Sequence, residues 1–476
     1  MLLLLLILFP LVAAGLSLAL PWYRVRSWLL PLCGGAHLLL TGYLVSTSTG
    51  LTGPWIGLDA LSKLVLAVTS LLYFGCSIYS VGYLNLRRDR GNRTMVPCLL
   101  VFLSAMTLAV TARHLGLLWM AVEATTIASA PLIYYNRNRL SIEATWKYLL
   151  LCSVGIALAM LGMLFVAYAA MVGGNVPVSL QFDVLLAGAQ ALSPPWLHAG
   201  FVFLLVGFGT KMGLAPLHSW KPDAYGEAPG MVGALLAGGL TSVAFLAILR
   251  AVQLMNAAGD GAMARQALLC LGLLSLLVAA IFMVRQPDLK RLLAYSSVEH
   301  MGILAIGVGI GGLATFGALL HLVNNALTKG CLFLAAGNIQ RAYASKRLSE
   351  VHGAMATLPI SGGLFLAGFL AITGSPPFGP FISEFTILRG IFANGQLWIG
   401  LVMLLLLATV FIGMGATVLP ATQGEAVSLE TGFHDTLLLV ISPLGFLLMV
   451  LLLGVWLPEP LRVALTDAAA LLEVTP

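Results

Sequence analysis

Apolar stretches of roughly twenty residues recur along the whole chain between short polar turns, the length an α-helix needs to cross a bilayer. Starts near residues 2, 28, 59, 95, 114, 146, 196, 229, 264, 296, 313, 354, 395 and 435 lay out roughly fourteen such segments. The pattern predicts an all-α integral membrane protein of about 14 transmembrane helices, the seventh and twelfth interrupted. The longest polar stretches, 173–195 and 421–434, are too short for a soluble domain and read as loops. The opening "MLLLLLILFPLVAAGLSLAL" lacks the basic n-region of a cleaved signal peptide and reads as the first membrane helix.

The two interruptions carry chemistry. In "GFGTKMGLAPLHSWKPDAYGEAP" (207–229), Lys211 ends an apolar run, and Gly213 and Pro216 follow within five residues. Such a break frees backbone groups from the helix ladder. In lipid they must be satisfied by protein or water, so the break is expected to line a hydrated cavity through which protons reach Lys211. "LAITGSPPFGPFISEF" (370–385) repeats the device with Gly374, Pro376, Pro377, Gly379 and Pro380, and places Glu384 just beyond. Paired interrupted helices in corresponding halves mark inverted-repeat transporters. The expected organisation is helices 1–3 over 1–94, a five-helix repeat over 95–255, its inverted counterpart over 256–420, and a loop with helix 14 over 421–476.

Composition agrees. The 476 residues are 60% hydrophobic and only 9% charged, whereas a soluble domain is about a quarter charged. Of the 24 Lys and Arg residues, Lys63, Lys211 and Lys329 fall inside the segments. The rest divide roughly 16 to 5 between the two faces, and the positive-inside rule makes the heavier face cytoplasmic. That face collects Arg24, Arg26, the "RRDRGNR" run at 87–93, Arg137, Arg139, Lys147, Lys221, Arg285, Lys290, Arg291, Arg341, Lys346 and Arg347. An even helix count then puts both termini outside. The net charge of +6 follows from this topology and calls for no nucleic-acid partner. The six cysteines stand alone, with no CxxC or Cys/His ligand spacing, and no phosphate-binding glycine loop follows a strand pattern. Neither a metal site nor a cofactor is expected on this chain.

A charge at mid-bilayer costs about 2.5–3.5 kcal/mol on insertion scales, so each one asks for a reason. Glu123 sits midway along "HLGLLWMAVEATTIASAPLIYY", where a carboxylate in low dielectric can take up or release a proton. A polar contact holding two helices together is the plainer alternative. Lys211 is its natural partner, since a lysine whose charge depends on a nearby carboxylate is a switchable proton store. In "HLVNNALTKGCLFLAAGNI", His321, Asn325 and Lys329 fall four apart, on one helix face. His218, Glu299 and His300 lie near the cytoplasmic ends of their segments, where interfacial hydrogen bonding and proton uptake are equal alternatives. Asp59 and Lys63 read as an i,i+4 pair.

These residues resemble the antiporter-like membrane subunits of respiratory complex I, the multisubunit sodium/proton antiporters and the membrane-bound [NiFe] hydrogenases, over roughly residues 55–420. "GTKMGLAPLHSWKPDAYGEAP", "PDLKRLLAYSSVEHMG", "TKGCLFLAAG" and "FGPFISEF" carry the likeness. "SSVEHMG" and "VEATTIASAPL" look most like hydrogenase-4 component F and formate-hydrogenlyase-type subunits. The resemblance implies that Glu123 and Lys211 are the family's coupled pair, Lys329 its central lysine, His321 an accessory histidine and Glu384 its terminal site. The chain ends soon after helix 14, so the long lateral helix of the distal complex I subunit is expected to be lacking. Two departures stand out. Many members carry Lys or His midway along helix eight, whereas "ALLAGGLTSVAFLAILR" offers Thr241 and Ser242, hydroxyls that cannot store a proton at ordinary pH. Asn325 stands where some relatives have a second histidine.

The expectation is a subunit that moves protons along this axis in a bacterial or archaeal cytoplasmic membrane. A peripheral redox module and other membrane subunits would be its partners, and the chain itself would hold no redox centre. Three alternatives stay open: a sodium/proton antiporter subunit, the membrane member of an inorganic-carbon uptake system, and a non-pumping anchor.

Overall fold

The computed structural model describes residues 1–47, 51–174, 179–425 and 432–473, so parts of the two expected loops, 175–178 and 426–431, lie outside the described residues. Eleven described helices are long and apolar enough to cross a membrane. They are α1 (Leu2–Ala19), α2 (Tyr23–Ser46), α3 (Ala60–Leu86), α5 (Leu115–Asn136 with its last turn), α6 (Arg139–Gly173), α8 (Gly230–Ala257), α9 (Gly261–Met283), α10 (Leu289–Ile310), α11 (Leu313–Tyr343), α13 (Leu397–Gln423) and α14 (Leu437–Val455). The remaining expected segments correspond to the shorter α4 (Met95–Thr111) and to two interrupted pairs. These pairs are α7a (Pro194–Met212) with α7b (Trp220–Glu227), and α12a (Pro359–Ile372) with α12b (Gly379–Ala393). A short helix, α15 (Glu459–Ala470), follows.

The layering follows from side-chain size. Without a hydrophobic force between helices in lipid, small residues let backbones approach closely. Gly162 of α6 and Gly200 of α7a leave no room for a Cβ against each other's backbone, and Gly272 of α9 and Gly302 of α10 repeat this. The most apolar windows of α8 and α11 are wholly buried, whereas α1, α2, α6, α9, α13 and α14 present large apolar side chains outward. The polar residues of α8, α10 and α11 therefore have protein rather than lipid around them.

Both breaks appear where the sequence puts them. Gly213 caps α7a in a left-handed conformation, φ 83°, which a side chain rarely tolerates. Gly374 follows α12a with φ 68°. At the first break protein itself satisfies two of the polar groups. Ala215 N donates to Ser275 Oγ of α9 at 2.9 Å, and the Trp220 indole donates to the Thr210 carbonyl at 2.8 Å.

One rim carries a cluster of ion pairs. Asp223 of α7b pairs with Lys147 and Arg291, and Lys346 pairs with Glu227 at 2.6 Å and Asp288 at 3.2 Å. The expected Asp59–Lys63 pair does not form. Asp59 caps α3 through Ser62 N and takes both Nη atoms of Arg250 from α8, while Lys63 donates to the Thr47 carbonyl. Burial pushes the Asp59 carboxyl up, but the Arg250 guanidinium, Ser62 N and Arg113 outweigh it and bring it down to about 2.

Candidate functional site

Glu123 lies on α5, half-buried, with Oε1 accepting from Ser153 of α6 at 3.2 Å and Oε2 from Thr126 at 3.0 Å. Lys211 is fully buried at the end of α7a, and its ammonium donates to Thr126 Oγ1 at 2.7 Å and Tyr148 Oη at 2.8 Å. The expected direct pair is thus relayed: the Thr126 hydroxyl accepts from Lys211 and donates to Glu123. Glu123 reaches the lateral surface beside exposed Ser153. Tyr148 also hydrogen-bonds Ser129 at 2.6 Å, and Lys211 sits 4.7 Å from its ring centroid.

The "SSVEH" run of α10 (296–300) is the hub of the second half. Consecutive helical residues point about 100° apart, so the run serves several neighbours. Ser296 Oγ accepts from the buried Lys329 of α11 at 2.7 Å, and the Leu293 carbonyl lies 3.3 Å from the same ammonium. His300 Nδ1 meets His321 Nε2 at 2.9 Å, and His321 Nδ1 meets Ser383 Oγ of α12b at 2.9 Å. Glu384 follows, buried, with Oε1 lacking a hydrogen-bond partner. His300, His321 and Glu384 are the group of three among the described residues whose ligand-type atoms all lie within 4.8 Å. The histidine–histidine hydrogen bond engages one ring's lone pair and the other ring's N–H, and suits proton exchange.

His321 and Lys329 therefore share a helix face, as expected, yet face different partners. Asn325 is buried between them with Oδ1 unpaired, and the neighbouring Asn324, not singled out from the sequence, contacts Ser383 at 3.4 Å. Glu299 and His300 are buried rather than interfacial, with Glu299 Oε2 3.8 Å from His300 Nε2. His218 lies half-buried in the break with Nδ1 unpaired. Ser242 and Thr241 hydrogen-bond back to Gly238 and Ala237 of their own helix. There α8 takes a π-helical turn, Leu235–Leu240, and a Cβ on Gly238 would meet the Ala326 carbonyl of α11 at 2.9 Å. The packing leaves no room for a lysine or histidine at Gly238.

Two cations counted to the cytoplasmic face are buried rather than solvated. Lys290 is buried, its ammonium on the Ala228 carbonyl at 2.7 Å. Lys221 is also buried, on α7b, and donates to Ser297 Oγ of α10 at 3.2 Å. Its spacing to Tyr225, four residues on in a helix whose Trp220 and Ala224 are buried, was the available signal.

Residues 112–413 match the family described as NADH:quinone oxidoreductase/Mrp antiporter, transmembrane. The chain is 35% identical over 402 residues to a hydrogenase-4 component F homolog of Methylacidiphilum infernorum, covering 82% of this chain and 84% of that one. The fold superposes on a chain of an archaeal membrane-bound sulfane sulfur reductase with TM-score 0.89 at 20% identity, covering 99% of this chain and 97% of the other. It also superposes on a chain of Thermus thermophilus respiratory complex I with TM-score 0.83 at 25% identity, over 99% and 100%. Family match, identity and coverage agree on one assignment: the chain is an antiporter-like, multi-pass membrane subunit of the NADH:quinone oxidoreductase/Mrp antiporter family.

Proposed function

We propose that this chain translocates protons across the membrane while a peripheral redox module, bound with further membrane subunits, supplies the driving reaction. The observation that carries this is the line of buried titratable groups and hydroxyls crossing the molecule. It runs from Glu123 and Lys211 in the first half to Lys329, His300, His321 and Glu384 in the second. Proton transfer needs such groups within hydrogen-bond reach of one another. The two interrupted helices, each with a positive-φ glycine and a proline three residues on (Pro216, Pro377), support the inverted repeats over 95–255 and 256–420. Glu123, Lys211, His321, Lys329 and Glu384 are the transfer groups in this reading; His218, Glu299, His300, Asn325 and Ser242 are accessory.

A sodium site is disfavoured by local charge. Glu123 offers oxygens with Ser153 and Thr126, but the Lys211 ammonium lies on the same Thr126 hydroxyl, where a second cation would be repelled. The test is the complex reconstituted in vesicles: proton uptake coupled to redox turnover, unchanged by removing sodium and collapsed by a protonophore. Uptake that needs sodium and survives the protonophore would refute the proposal.

A further inference from the structure

α8 supplies no titratable group between Lys211 and Lys329, and the sequence therefore leaves that stretch without a carrier. We propose that Lys221 is the carrier, a transfer residue placed on α7b instead of on α8; this rests on the proton-translocation reading above.

Helical side chains lean toward the N-terminus of their own helix, so Lys221 points back along α7b toward the break. Its stem and ammonium fill the space over Gly213: a Cβ there would meet Lys221 Cε at 2.1 Å and Nζ at 2.7 Å. The ammonium is thereby brought back to the end of the helix that carries Lys211. On that side, Trp220 packs on Tyr148 with ring centroids 5.0 Å apart, and Tyr148 Oη takes the hydrogen bond of Lys211. On the far side, Lys221 donates to Ser297 while Lys329 donates to Ser296, adjacent residues of one helix. Two cations from different repeats thus rest on one pair of hydroxyls.

The second break has the same construction. A Cβ on Gly374 would meet Glu384 Oε2 at 2.3 Å, so each short helix after a break returns one ionisable side chain onto the glycine that made it. Glu384 and Lys221 are counterparts in this sense. A structural lysine in an apolar interior is normally paired with a carboxylate. Among the described residues Lys221 has none; it meets the Ser297 hydroxyl and, 5.7 Å away, the Tyr225 ring. An amine held by a hydroxyl alone can give and take a proton.

The step is a simple exchange. The Lys211 ammonium releases a proton toward Tyr148, Lys221 takes one up as the amine, and Lys221 then releases one to Lys329. The serine hydroxyls, with water completing the path, accept and donate in turn. One proton moves: Lys211 is left as the amine, Lys329, which accepts as the amine, becomes the ammonium, and Lys221 ends as it began.

The test uses the assembled complex in vesicles and reads protons moved per redox turnover. Lys221→Leu and Lys221→Arg should both lower this ratio at least tenfold with assembly intact, since neither side chain can release a proton. Lys221→His should keep a third or more, which a purely packing or charge role would not produce. A ratio within twofold of the wild type in Lys221→Leu or Lys221→Arg overturns the proposal. Should Lys221→Leu fail to assemble, Ser296→Ala with Ser297→Ala decides, a fivefold fall supporting the relay and a wild-type ratio overturning it. Lys211→Ala separates the levels. If it is inert while Lys221→Leu pumps, only the Lys221 relay falls; if it too pumps normally, the whole axis does.

Discussion

The smallest unit with a consequence is the Thr126 hydroxyl. Lys211 and Glu123 interact through it, so Thr126→Val, which removes the hydroxyl and keeps both charges, should lower proton pumping to the level of Glu123→Gln. Assembly should be normal in both, because Lys211 keeps Tyr148 and can shed its proton; vesicle uptake at the wild-type rate in Thr126→Val would contradict the relay. Lys211→Arg asks a complementary question. Arginine preserves the positive charge but its pKa above about 12 prevents release, so pumping should fall at least tenfold while the complex still assembles. A structural cation would leave uptake intact. Lys211, His321, Lys329 and Glu384 were legible as buried from the sequence because an ionisable side chain inside a long apolar run has few explanations. Lys221 and Lys290 were not. Each sits within a few residues of a segment end, where one-dimensional counting cannot tell a side chain that snorkels out from one that leans back into the core. Thr126 was equally hidden, because a hydroxyl in a membrane helix usually bonds its own backbone, as Ser242 does.

At the scale of elements, hydrophobic runs located the helix starts to within seven residues, but not how the helices pack. The close contact of the π-helical turn of α8 with α11 depends on Gly238, which in the sequence looks like any small residue. Nor does periodicity show that Arg250 of α8 reaches past its own helix to the cap of α3. That guanidinium lies on Asp59, on Ser62 Oγ at 2.9 Å and on Gln253 Oε1 at 2.9 Å. Arg250→Ala leaves a largely buried carboxylate with the Ser62 N–H and, 3.5 Å away, Arg113. The expected loss is about 3 kcal/mol, toward the lower end for a broken buried pair, read as a lower midpoint of thermal unfolding in detergent. The pH dependence follows from the depressed Asp59 carboxyl. Its contribution is complete above the ordinary carboxylate range and is lost only as pH falls toward about 2. The wild-type midpoint should therefore not lose this lock between pH 7 and pH 5; a midpoint unchanged by Arg250→Ala throughout that range would show that the lock contributes nothing.

Across the whole molecule, basic residues from distant loops converge. A cavity of about 650 Å³ is lined by Arg87, Lys290 and Arg341, and an adjoining one of about 700 Å³ by Arg90, Arg291 and Lys346. These are the residues that the sequence assigns to its heavier face, and their meeting at one end is a feature of the fold independent of the alternating count. Positive loops are retained on the cytoplasmic side during insertion, so these cavities should open to the cytoplasm. With an even number of crossings, both termini should then lie outside. The first cavity reaches Lys290, and from there Ser296 and Ser297 lie six and seven residues along α10, about 10 Å at 1.5 Å per residue. A cytoplasmic opening would thus give protons the shorter approach to the Lys221–Lys329 relay. The orientation is checked by placing a cysteine at Arg90 after replacing Cys270, the exposed one of the six native cysteines. A membrane-impermeant maleimide should label position 90 in inverted vesicles and spare it in intact cells, while a cysteine replacing Leu2 should show the reverse. Labelling of position 90 in intact cells would turn the molecule over and put the cavity, and with it the shorter approach, on the outer face.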